Sequence, residues 1–136
     1  MPKLRLLAIL VVLAHWFVAV WHLFPAADVV PPPNNHVSWV AIALMSVGHL
    51  AVSLLLWKLG DRFLGPIALI FFSAAMAADV YEHLVLTQPN NVFLVSGPET
   101  VIFDVSVFAL LALEILGCTL GILSLSGWRH PRAAAP

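Results

Sequence analysis

The side chains able to do chemistry in this chain are histidines and carboxylates, and most of them sit where polar groups are scarce. His15, His22, His49, Asp79, Glu82, His83, Asp104 and Glu114 all fall inside long apolar runs. The densest stretch is "DVYEHL", residues 79–84, directly after "GPIALIFFSAAMAA". Imidazoles and carboxylates brought together from different helices can hold a transition metal, handle protons, or fix helix register through hydrogen bonds.

Four runs must carry these residues: 4–24, 37–57, 66–86 and 100–123. Each has about 20 residues, enough to cross ~30 Å of hydrocarbon as a helix. The chain is 62% hydrophobic and only 10% charged, with a mean hydropathy of +1.01. A soluble domain is nearer a quarter charged. The alternation of membrane strands is missing. The sequence therefore predicts one domain, an all-α integral membrane four-helix bundle of up-down-up-down topology, each span satisfying its own backbone. Residues 127–136 read as a disordered cytoplasmic tail that contains His130.

Charge sets the orientation. The six Lys and Arg residues are Lys3 and Arg5, then Lys58 and Arg62, then Arg129 and Arg132. The other two connections, 25–36 and 87–99, have none. The positive-inside rule then makes both termini cytoplasmic, in a multi-pass protein of a bacterial-type inner membrane. A cleaved signal peptide ending at "FPAA" is the alternative for the N-terminus. Against it stand the length of the run and its His15, Trp16, Trp21 and His22.

The net charge of −1 and the absence of a basic cluster exclude a nucleic-acid partner, and no phosphate loop, "HExxH" or nucleophile elbow is present. The single cysteine, Cys118, allows neither an internal disulfide nor a thiolate metal site. With short loops, any chemistry belongs in the membrane or at its outer face.

The outer loops "FPAADVVPPPNN" and "TQPNNVFLVSGPE" are rich in turn formers, and the tandem prolines predict a stiff, extended segment. The inner connection "KLGDRFLGP" reads as a hairpin turn built on Gly60, Gly65 and Pro66. "VWHLFPAADVVPPPNNHV" and "VYEHLVLTQPNNVFLV" form a faint repeat in which His22 and His83 correspond.

Counting 1.5 Å per residue from the middle of each span sorts the ionisable groups by depth. An inner layer holds His15, His49 and Glu114. An outer layer holds His22, Glu82, His83 and Asp104, with Asp79 just below. His15 and His22, seven apart, share a face. So do Asp79 and His83, four apart. The stripe Asp104, Val107, Leu111, Glu114, Cys118 aims both acids inward. Exposure of a charge to lipid costs ~3 kcal/mol or more, so interior placement is expected throughout.

For the outer layer the metal reading takes His22, Asp79, Glu82, His83 and Asp104 as ligands to copper, iron or zinc. The competing reading is a hydrogen-bonded network, with histidine paired to carboxylate. For the inner layer, His15 and His49 are candidate axial ligands of a haem or another tetrapyrrole, with Glu114 beside them. The competing reading gives each histidine to a neighbouring serine or carbonyl, with Ser46 and Ser53 as candidates for His49, and pairs Glu114 with a histidine or a proton.

His36 reads as interfacial, the tryptophans other than Trp16 as an aromatic belt, and "SAAMAA" and Gly117–Gly121 as helix-packing surfaces. Three function classes follow. One is a metal- or haem-binding redox component or membrane enzyme. Another is an accessory subunit of a larger membrane complex, with a protein partner or a second copy at its packing surfaces. The third is a proton- or ion-coupled carrier.

Overall fold

The computed structural model describes residues 2–29, 37–87 and 89–128. The proline run at 31–33, Asn34, Asn35, His36, Arg129, His130 and Arg132 lie outside the described residues. The readings made for them, and for the tail from 129 on, rest on sequence alone.

Four helices form the structure: α1 (Pro2–Val29), α2 (Trp39–Leu59), α3 (Asp61–Val80) and α4 (Thr100–Trp128). Each is long and apolar enough to cross a membrane. There is no strand among the described residues. Lipid-type exteriors such as Leu44, Val47, Ile70 and Val101 cover the outside of the bundle, as expected of a multi-pass membrane protein. Contacts fix the up-down-up-down order. Arg5 of α1 reaches Asp61 (3.9 Å) and stands over the Trp57 ring, so the start of α1 meets the α2–α3 turn. A side chain added at Gly65 of α3 would strike Leu125 of α4, so those ends meet as well.

Helix limits differ from the sequence reading in two places. α1 continues through Pro25 to Val29, so residues 25–29 are helix rather than loop. A proline removes one backbone bond, which a membrane helix packed among neighbours tolerates. The α2–α3 turn is a single residue, Gly60, at φ +70°, a region that favours glycine. Gly65 and Pro66 already belong to α3. Gly65 is needed for packing instead. It lies against Gly121, and Gly117 lies against the Phe72 ring, where a Cβ would overlap it. The "GxxxG" of α4 therefore serves contact within the bundle.

α3 does not end as it began. Tyr81–Val85 winds as a π turn, closed by Leu86 N–H donating to Tyr81 O at 2.9 Å. Such turns recur at functional sites. The 87–99 loop folds back over it. Val92 N–H donates to His83 O (2.9 Å), and the buried Asn91 donates from Nδ2 to Leu86 O (2.7 Å). The carbonyls left free where the helix ends are thereby satisfied.

The interior divides into two halves. Toward the basic end, Ala8, Val11, Val12, Leu56, Leu64, Ala68, Phe72 and Leu120 form one apolar core. Toward the other end the buried side chains include four histidines and Glu114.

Candidate functional site

His15, His49 and Glu114 stand at the middle of α1, α2 and α4. His15 Nε2 lies 3.1 Å from Glu114 Oε1, and His15 Nδ1 lies 2.8 Å from His49 Nε2. His49 Nδ1 lies 2.7 Å from Met45 O. All three side chains are buried, Glu114 completely. Phe71 and Phe72 present ring edges to His15 and wall the group off from the basic half.

Proton positions follow by elimination. A carbonyl only accepts, so His49 Nδ1–H donates to Met45 O. Neutral His49 then offers a lone pair at Nε2, which accepts from His15 Nδ1–H. One proton lies between His15 Nε2 and Glu114 Oε1, held by one or the other. Glu114 Oε2 is buried and receives no donor among the described residues.

Asp79 completes the group. One ligand atom each from His15, Asp79 and Glu114 lies within 4.8 Å of the others. Depth counted along the backbone assigned Asp79 to the outer layer. Side chains on a helix tilt toward its N-terminus, which brings Asp79 on α3 down and Glu114 on α4 up. The two carboxylates therefore lie near each other. As anions they repel and offer each other only lone pairs, so a proton or a cation between them is favoured.

Nearer the far end, His22 and His83 face each other, with ring centroids 4.8 Å apart and planes at 73°. His22 Nδ1 lies 2.8 Å from Ser106 Oγ, which itself donates to Phe103 O (2.6 Å). The serine proton is committed, so His22 Nδ1–H is the donor. His83 Nδ1–H donates to Asn90 O at 3.0 Å. Among the described residues, neither ring bonds a carboxylate.

A cavity of about 340 Å³ joins the two groups, lined by all four histidines, Asp79 and Glu82. Ala75 and Ala78 of the alanine-rich stretch line it too, and their small side chains leave it room. Glu82 is exposed, so it marks the mouth rather than a buried ligand. Asp104 is not brought to His22 or His83. The inward face of α4 runs through Phe103, Ser106, Val107, Leu110, Glu114 and Gly117, one residue off the expected stripe. Asp104 lies at its edge, half-buried, with Oδ1 lacking a partner among the described residues.

Haem ligation by His15 and His49 does not fit this arrangement. Two axial histidines stand on opposite sides of an iron, whereas these rings are stacked and bonded to each other at 2.8 Å. Ser46, one expected partner of His49, instead accepts from Trp16 Nε1–H (2.9 Å), and the other, Ser53, has no partner among the described residues. That bond accounts for a tryptophan far from the span ends. Sequence reasoning missed Ser106 and Asn90, which orient the outer histidines. The only signal for Asn90 was the repeated Pro-Asn-Asn.

Comparison of the chain with known protein families, curated proteins and solved structures finds no match.

Proposed function

We propose that this is a membrane metalloprotein with a mid-membrane centre for a divalent transition metal, held by His15 Nε2, Asp79 and Glu114. One observation carries the reading: ligand atoms from three helices within 4.8 Å of one another, in the interior of the bundle. Two carboxylates balance a divalent charge that apolar surroundings would otherwise penalise. The metal takes the place of the proton between His15 and Glu114. His49 acts as the supporting residue, fixing the His15 ring through its Nδ1–H, with Met45 O fixing His49 in turn.

A mixed N/O set suits iron, zinc or copper. Three protein ligands with the remaining positions on a cavity are the arrangement of a reactive centre rather than a structural one. That favours a redox component or membrane enzyme. The positive-inside orientation turns the cavity to the outer side of the membrane.

A second reading rests on the unbroken hydrogen-bonded path from Met45 O through His49 and His15 to Glu114. Such a path can serve as a proton-handling or register-fixing network in a carrier or an accessory subunit. Metal analysis of the detergent-purified protein after incubation with Fe(II), Zn(II) or Cu(II) separates the two. The metal reading expects Asp79→Asn and Glu114→Gln each to retain one ion fewer than the parent. Loss of neither variant's metal, or no metal in the parent, leaves the network reading.

A further inference from the structure

We infer that His22 and His83 form a second transition-metal site, distinct from the mid-membrane centre and placed to take up an ion from the cavity mouth. Three observations meet here. The first is the state of the rings. Each Nδ1–H is given to a fixed acceptor, Ser106 Oγ or Asn90 O. Each neutral ring therefore keeps its lone pair on Nε2, which has no hydrogen bond among the described residues. This is the form in which histidine binds metal, its other ring nitrogen held by a supporting acceptor.

Spacing is the second observation. Two imidazoles bound to one ion through bonds of ~2.0–2.1 Å, at angles between 90° and tetrahedral, have centroids about 4.5–5.2 Å apart. His22 and His83 stand at 4.8 Å. The third is place. Both rings are buried, at 6% and 4% exposure, and both line the cavity that Asp79 and the exposed Glu82 also line. Two neutral nitrogens are an incomplete set, and cavity water completes it. Imidazole selects zinc or copper over magnesium or calcium. An ion on this pair lies in the cavity that Glu82 and Asp79 also line.

Zinc binding by the detergent-purified chain, in competition with a chromophoric chelator, tests the pair. The parent is expected to take up two zinc ions, and the Asp79→Asn/Glu114→Gln double variant one. Adding His22→Ala and His83→Ala to that background should remove the last. Retention of the same stoichiometry after both alanine substitutions overturns the proposal, as does failure of the double variant to bind zinc. If the double variant matches the parent at one zinc, and the alanine substitutions remove it, the mid-membrane reading fails while the outer site stands.

Two further measurements guard against misfolding. Ser106→Ala keeps both ligands and should weaken zinc at this site by about 10- to 100-fold. Diethylpyrocarbonate, which attacks unprotonated ring nitrogens, should modify His22 and His83 and spare His49, with zinc protecting both. Mass spectrometry that finds His22 and His83 unmodified, or modified equally with zinc present, counts against the pair.

Discussion

The two histidine groups use the same side chain in opposite ways. At mid-membrane every ring nitrogen is engaged: His49 between Met45 O and His15, and His15 between His49 and Glu114. Near the far end each ring spends one nitrogen on a neutral acceptor and leaves the other without a hydrogen bond among the described residues. On the proposed reading, the first group holds a proton that must leave before a metal enters, and the second is already in its binding form. On that reading, whether a buried histidine acts as a proton carrier or a waiting ligand is set by what its second ring nitrogen meets, and not by its burial.

That contrast can be broken. The largest effect is expected from Glu114→Gln, which removes a ligand and its charge. Mid-membrane metal affinity should fall beyond the 10- to 100-fold that loss of a supporting group causes, while zinc on His22 and His83 is unchanged. Calorimetry on the variant checks both, and equal loss at the two sites would merge them into one.

Next comes His49→Ala, which leaves His15 Nδ1–H without its acceptor. Affinity at the mid-membrane centre should drop about 10- to 100-fold, and stability by ~1–3 kcal/mol from the orphaned donor. An unaffected affinity would show that His15 needs no support.

Proton release sharpens the comparison further. Loading the mid-membrane centre should expel at least one proton, so its apparent affinity rises about tenfold per pH unit where that proton is held. Loading the outer pair at neutral pH should expel none. A pH-indicator dye during titration of the Asp79→Asn/Glu114→Gln variant and of the parent separates these outcomes. Smallest of all is Trp16→Phe. The lost bond to Ser46 is worth ~0.6 kcal/mol in a membrane interior, and binding at both sites should be unmoved.

Span length and hydropathy made the four helices legible, and the clustering of Lys and Arg marked which ends meet. Depth along each span was enough to bring His15, His49 and Glu114 to one level. It was not enough for Asp79, because side-chain tilt carries a carboxylate toward the N-terminal end of its helix relative to its own Cα. Glu82 and His83 lie on a π turn, which a period of 3.6 residues does not anticipate. Their separation into exposed and buried positions was hidden for that reason. Ser106 reads as one more small residue in an apolar helix. Asn90 acts through its backbone carbonyl, which any residue possesses. Gly65 and Pro66 look like turn residues in sequence, and only the closeness of Gly121 shows that α3 has already begun.

The apolar core on the basic side closes one half of the bundle, while the cavity opens the other. An ion that reaches Glu114 has therefore entered from one side and crossed about half of the membrane's electric field. A unit charge crossing the full field gains or loses ~2.3 kcal/mol per 100 mV. A divalent ion taken to mid-depth feels about that amount, equal to roughly 50-fold in affinity per 100 mV, and half of it in energy if one proton leaves by the same route. In the orientation proposed from the positive-inside rule, with the cavity outward, an inside-negative potential draws the ion in. Proteoliposomes carrying a potassium diffusion potential should load the mid-membrane centre more tightly than depolarised ones, and the shallower His22–His83 pair much less so. Equal loading with and without the potential would mean that the centre is not electrically buried.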